Sequence, residues 1–312
     1  MKLLILFFIY LSMKDKIRSL YNIDIDNVIS NNSNYLFKYN NEVYVFTKID
    51  NSILDELSII NKELIAKGIK VLPFILNIYH SYITNIDNNN YILVKYYKEI
   101  EYGIIDIINR ISIVKTYNYK SKLNHSNYIL LWTSKNDYLE YQMNELKGKY
   151  KGLETFFDYY IGLAENALNY FKEGLKYLNK EPLTLSHKRM PFPLMNNDYD
   201  NSLNFILDYE VRDIGEYIKS EALKDKKNAL IDLDTYLKIN RPSLFLLYVL
   251  YSRLLYPTYF FDIEENIIEY QKSKELLNNI NINEYETFLY EAYLLISKYG
   301  PIREIDWLKK KL

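Results

Sequence analysis

The chemistry this sequence could perform rests on its carboxylates and cations, because cysteine is absent and only three histidines, His80, His125 and His187, are present. Without cysteine there is no disulfide scaffold, no thiolate nucleophile and no Cys-ligated zinc or iron–sulfur site. The histidines stand far apart with no metal-ligand spacing; His80 and His125 read as structural, and His187 as a ring packed beneath its own loop. Asp208 closes an apolar run, with Arg212 four residues on. Its plain reading is a strand-end carboxylate, facing solvent or paired with Arg212 or Arg189. Asp213 precedes the amphipathic stretch IGEYIK, with Glu216 three residues later, which predicts an N-cap and a capping-box-like pair. A brace for the preceding loop, through His187 or its backbone, is compatible with that cap. Arg253 lies inside an apolar helical run and needs a carboxylate partner, since an unpaired buried charge costs several kcal/mol. Lys48 ends a strand, and Glu56 and Glu63 lie seven residues apart on a following helix.

These side chains need a scaffold, and 312 residues provide one; at roughly 150 residues per domain the length predicts one or two domains. Apolar content of 49% and charged content of 25% are those of an ordinary globular chain. Lys+Arg 39 against Asp+Glu 40 leaves no basic excess for nucleic acid. Thirty-four tyrosines accompany heavy use of Asn, Ile and Lys, a bias read as codon drift rather than as a stacking surface.

Residues 34–49 alternate around Asn40-Asn41 and predict a β-hairpin. A helix follows from Ser52, with Asp55 three residues on, and stops at Gly68. Two strand-like runs, 74–84 and 91–97, flank the polar stretch 85–90. Helical patterns then cover 103–115, 126–147, 150–178, 213–225, 228–238, 242–275 and 283–298. Between 178 and 212 the chain is irregular, with Pro182, Pro191, Pro193 and one apolar strand at Leu203–Leu207. Arg253 and Pro257 interrupt the apolar run around Phe245–Tyr251, so it reads as a buried helix rather than a membrane span. At the start, Leu3–Leu11 is apolar but too short to span a bilayer, and no small-x-small cleavage site follows. Met13 as the true start is the favoured reading, and a membrane tether the second. The predicted organisation is an N-terminal extension over 1–15, a small α+β lobe over 16–97 and a helical lobe over 98–312.

Four segments carry a family resemblance: YLEYQMNELKGKYKGLETFFDYYIGLAENALNY (138–170), SHKRM (186–190), FILDYEVRDIGEYI (205–218) and RPSLFLLYVLYSRLLYPTYFFDIEE (241–265). Together they resemble the YutH-type spore-coat kinase-like proteins, a branch of the aminoglycoside/choline phosphotransferase-like group, from about residue 16 to the C-terminus. The resemblance implies an α+β, protein-kinase-like two-lobed fold with a small β-rich N-lobe and a larger helical C-lobe. An active member of that group has an Asp two residues after its catalytic-loop His, which orients the acceptor hydroxyl and takes its proton. It also has an Asn five residues beyond that Asp, a second Asp after a short strand to hold Mg2+, and an N-lobe Lys paired to a helix Glu to hold ATP.

Against that pattern His187 is followed two residues on by Arg189, a permanent cation with no acceptor that cannot serve as base. Leu194 fills the Asn position, and Asn196 and Asn197 are off register. The resemblance makes Asp208 the metal candidate, although only five residues separate it from Asp213, where active members have a longer loop. Lys48 and Glu63 are the nucleotide-binding candidates. Phosphate transfer by the usual mechanism is therefore not expected, and no cofactor is assigned beyond the ATP and Mg2+ the group would use. The leading expectation is a pseudokinase with a structural or recognition role among other spore-coat proteins. It would be made in the cytoplasm and placed on the spore coat if the source sporulates, with no nucleic acid and no membrane contact expected. The alternatives are an active small-molecule phosphotransferase with a rearranged loop, and a membrane-tethered kinase-like protein. Arg189 in the base position could also hold an anion.

Overall fold

Asn40 and Asn41 adopt φ of 50° and 63°, the left-handed pair a two-residue hairpin turn demands, and they join the predicted strands in the expected register. A computed structural model describes residues 12–31, 34–111, 113–145, 153–270 and 281–309. The chain divides into two units, the first running to Glu101 and including Pro193–Phe205, the second holding Tyr102–Phe192 and the chain from Ile206.

The first unit opens with α1 (Met13–Tyr21), capped by Ser12, and β1 (Val28–Asn31), neither of which was predicted. Strands β2 (Asn34–Tyr39) and β3 (Glu42–Lys48) form the hairpin, and α2 (Leu54–Ala66) follows a 3-10 turn. The residue that organises the entry to α2 is Asp50, whose carboxylate accepts from Ser52 N at 2.8 Å, not the expected Ser52–Asp55 box. Gly68, with φ of 75°, ends the helix as predicted. The run 74–84 is not one strand: it yields β4 (Phe74–Ile75) and β5 (Thr84–Ile86), with a loop between them. That loop turns on buried Asn77, whose Oδ1 accepts from Tyr79 N and Ser81 N. β6 (Asn89–Tyr96) completes a six-stranded sheet ordered β1-β2-β3-β6-β4, with β5 also on β6.

Alternation gives the sheet two distinct faces. Phe37, Phe46, Tyr91 and Leu93 pack with Ile17, Leu20 and Tyr21 of α1. Ile92 and Val94 pack on the other side with Leu54 of α2. The segment from Pro193 joins this unit through backbone contacts. Asn197 Oδ1 accepts from Tyr97 N at 2.9 Å, and Asn196 Oδ1 from Ile100 N at 3.0 Å. Those bonds are why the unit continues to Glu101, past the predicted boundary at 97, and takes in a distant stretch that sequence assigned to the helical lobe.

The second unit is built from α3 (Ile104–Ile111), β7 (Lys115–Thr116), α4 (Tyr128–Glu145) and α5 (Leu153–Gly174). It continues with β8 (Leu183–His187), which was not predicted, and β9 (Phe205–Asp208), which begins and ends slightly later than the predicted strand. The helices α6 (Val211–Lys224), α7 (Lys226–Asn240), α8 (Leu244–Leu255), α9 (Thr258–Tyr270) and α10 (Ile282–Ile296) follow. Strands β7, β8 and β9 form a small sheet in that order. Pro257 splits the long pattern 242–275 into α8 and α9, leaving Tyr256 extended, the conformation proline imposes on its predecessor; the end of that pattern lies outside the described residues. Every residue from Phe245 to Leu255 is buried, so this apolar stretch is core. The stretch Leu244–Glu265 alone is long and apolar enough, among the described residues, to cross a bilayer by composition, and 83% of its most apolar window is buried. Gly174 lets α5 approach α8: a Cβ there would stand 2.5 Å from the Tyr248 Cβ.

Candidate functional site

In the second unit β8 delivers His187 to the start of the SHKRM loop, and the first turn of α6 delivers Asp213 beneath it. Asp213 Oδ2 accepts from His187 Nδ1 at 2.6 Å, and Oδ1 accepts from the His187 backbone N–H at 3.0 Å. Both side chains are buried. This overturns the N-cap assignment for Asp213. The helix starts two residues earlier, at Val211, and its cap position, Glu210, makes no side-chain cap bond. The carboxylate is the loop brace instead. A short pair of this kind, sealed from water, fixes both the imidazole tautomer and the path of the loop.

Asp208, at the end of β9, has no exposed surface. Its Oδ1 accepts from Tyr128 Oη and from Tyr209 N, both at 2.7 Å, and its Oδ2 accepts from Arg212 Nη1 at 2.9 Å. Burial pushes its pKa up, while Arg212 and Arg253 pull it down. Arg212 does more than pair: its Nε donates to His187 O at 2.9 Å and its Nη2 to Lys188 O at 3.2 Å. One planar guanidinium therefore holds the metal-candidate carboxylate and two carbonyls of the degenerate loop together. Arg212 fits the pairing expected from sequence; Arg189 does not take that place.

Arg189 points elsewhere, with Nη1 bonded to Asp262 Oδ1 of α9 at 2.7 Å and a side chain 69% exposed. Asp262 holds its pKa above the ordinary arginine value. Because an exposed ion pair contributes about 0–1 kcal/mol, Arg189→Ala is expected to shift the urea midpoint only slightly, a result that equilibrium unfolding checks.

Further along α6, positions 212, 216 and 219 fall on one face, and the face is charged, with Lys219 buried and Arg212 and Glu216 partly so. Glu216 pairs with Arg253 Nη2 and, at 3.1 Å, with Lys219 Nζ. This supplies the carboxylate that Arg253 was expected to need, and it replaces the capping role expected for Glu216. Lys219 also donates to Arg253 O, Tyr256 O and Thr258 Oγ1, at 3.1, 3.0 and 2.7 Å, so it satisfies the carbonyl end of α8. Burial raises the Glu216 pKa, but Lys219, Arg253 and Arg212 together outweigh it and bring it to about 2. Burial lowers Lys219 to about 8 against the pull of Glu216. The Arg253 guanidinium lies over the Tyr128 ring at 5.0 Å. Half-buried His125 is held below its usual pKa by burial, then by Arg212 and Lys188. Arg212 thus acts on both His125 and Glu216, whereas Arg189 lies among the carboxylates Asp262, Glu265 and Glu216.

In the first unit Lys48 is exposed at the end of β3, opposite Tyr91. Alternation puts it on the Phe46 face, which packs on α1, whereas α2 packs on the opposite face. Glu63, on α2, is bonded to Lys67 at 2.8 Å. The expected Lys48–Glu63 pair is therefore replaced by a helix i,i+4 pair. Thr47, not Lys48, shares the α2 side of β3, and its Oγ1 donates to Asn34 Oδ1 at 2.5 Å. Asn196 and Asn197 spend their side chains on the backbone of residues 97–100.

Could these residues hold Mg2+ against a nucleotide? Magnesium wants one or two free carboxylates alongside phosphate oxygens. Both oxygens of Asp208 are already committed, and among the described residues no group of three or more His, Cys, Asp or Glu stands close enough to hold a metal ion. As held here, Asp208 offers no uncommitted oxygen to that ion. Tyr128, Lys219 and Asp262 belong to this arrangement and were not singled out from sequence. Only Lys219 left a signal there, through its spacing from Arg212 and Glu216.

The family described as spore coat putative kinase YutH matches residues 14–292. A curated relative, the endospore coat-associated protein YutH of Bacillus subtilis, is 27% identical over 187 residues, 51% of this chain and 52% of the relative. The chain thus spans about half the length of that relative. Among solved structures, an aminoglycoside phosphotransferase from Alicyclobacillus acidocaldarius is similar with a TM-score of 0.63 at 9% identity, over 93% of this chain and 96% of that one. A spectinomycin phosphotransferase in complex with ADP and spectinomycin gives a TM-score of 0.57 at 14% identity, over 96% and 98%. At such identities the likeness shows the fold, a kinase-like phosphotransferase fold with a small antiparallel sheet and a mostly helical remainder.

Proposed function

This chain belongs to the spore coat putative kinase YutH family, and on that premise we propose that it serves the spore coat as a kinase-fold scaffold or recognition module rather than by transferring phosphate. The observation that supports this reading most directly is Arg212. A resident guanidinium neutralises Asp208 and ties it to the loop carbonyls of His187 and Lys188, where an active relative of this fold needs the carboxylate free. Arg189 in the base position is a cation with no acceptor. The charged and hydrogen-bonded groups at this site are arranged to fix a loop.

A protein used for its shape keeps its place when exposed polar side chains are altered. In spores of the source organism the chain is expected in the extracted coat fraction, bound to other coat proteins. Versions carrying Lys48→Met or Arg189→Ala are expected there in equal amount. Absence of the unaltered chain from the coat fraction, or loss of coat association on either substitution, would contradict the reading.

A further inference from the structure

Helix α9 carries a carboxyl where its packing calls for hydrocarbon. Phe260, Glu264 and Ile267 follow the four-then-three spacing of one helix face, and all three are buried, Glu264 with no exposed surface. Phe260 stacks on Tyr160 of α5 at 3.8 Å between ring centroids, so this is the seated face. Both carboxyl oxygens of Glu264 are shielded and have no hydrogen-bond partner among the described residues. An ionised carboxylate there would lose its hydration with nothing in return. Burial accordingly pushes the group up to about 8, against the pull of Lys135 on α4 and with a smaller push from Glu265.

Charged contacts hold α9 at other positions. Asp262 meets Arg189 of the degenerate loop, Glu265 meets Lys135 of α4, and Thr258 accepts from Lys219 of α6. From α10, Glu286 accepts from Tyr159 of α5 at 2.8 Å. We propose that α9 is a pH-released strap: it is seated on α5 while Glu264 is protonated, and loss of the Glu264 proton lifts it from α5 and parts Asp262 from Arg189.

The sign follows from linkage. A group whose pKa is raised in the closed state protects that state at low pH, and the protection is lost as pH rises toward the closed-state value. Opening of α9 should therefore increase by up to about tenfold per pH unit between the ordinary value of 4.5 and about 8, then level off. Hydrogen exchange over 258–270 in the full chain, corrected for intrinsic pH dependence, reads this directly. The unaltered chain is expected to show the slope, Glu265→Gln to keep it, and Glu264→Gln, which has the same shape but no proton to lose, to be flat. Equal slopes in the unaltered chain and Glu264→Gln would overturn the proposal. If Glu264→Gln does not fold, carboxyl carbon NMR on the unaltered chain decides: a midpoint near 8 supports the strap, and one at the ordinary glutamate value overturns it.

Discussion

Arg212→Met is expected to cost the helical unit about 3–5 kcal/mol, the usual consequence of breaking a buried ion pair from one side. Asp208 has no exposed surface, and Arg212 supplies its one ion-pair contact among the described residues, at 2.9 Å. Tyr128 and the Tyr209 amide would still donate to one carboxyl oxygen, but neither neutralises a charge. The carboxylate would then take up a proton, since burial already pushes it upward and the main opposing influence would be gone. The two loop carbonyls of His187 and Lys188 lose their donor at the same time, so protease cleavage in 188–190 should accelerate. Asp208→Asn in the Arg212→Met background is expected to restore part of the loss, because a neutral amide needs no counter-ion. Urea unfolding of the two variants measures both effects. A single-variant loss below about 1 kcal/mol would mean that Arg212 is an ordinary surface cation.

Glu216→Gln is the second large effect. Glu216 is the carboxylate bonded to both Arg253 and Lys219, each 4% exposed. Removing its charge leaves two buried cations close together, and Arg253 already has two nitrogens without acceptors among the described residues. A cost of about 3–5 kcal/mol at neutral pH is expected. The pH dependence has a definite sign. The folded-state pKa is depressed to about 2 from 4.5, so the stabilisation is present above pH 4.5 and lost as pH falls toward 2. At 1.36 kcal/mol per unit that span is worth about 3 kcal/mol. The unaltered chain should lose this amount over the acid range, and Glu216→Gln should lack that part of the decline. Parallel acid profiles would show that Glu216 does not neutralise the cluster.

The sequence made elements legible where one periodicity dominated. The Asn40-Asn41 hairpin, the Gly68 stop and the apolar helices needed only local spacing. β8 escaped because all five of its residues are buried, which removes the alternation that marks a half-buried strand, and prolines flank it. β1 was too short to register. At the candidate site, residue types were legible and partners were not. Asp213 three residues before Glu216 satisfies the capping pattern, yet its carboxylate closes a contact with His187 across 26 residues. No local pattern distinguishes those uses. Lys48 shows the same limit: strand alternation was visible, but which face α2 would cover depends on packing. Arg253 was the reverse case. The cost of burying an unpaired guanidinium predicted a carboxylate partner without saying which, and Glu216 met the requirement.

The most direct test of the central claim is to give the purified full chain ATP with and without magnesium and to measure ADP and phosphorylated product over a range of hydroxyl acceptors. If Arg212 holds Asp208 as a structural anion, neither product nor any magnesium-dependent nucleotide binding will be found. Magnesium-dependent turnover that Asp208→Asn abolishes would contradict the account, because it would show that carboxylate serving a metal.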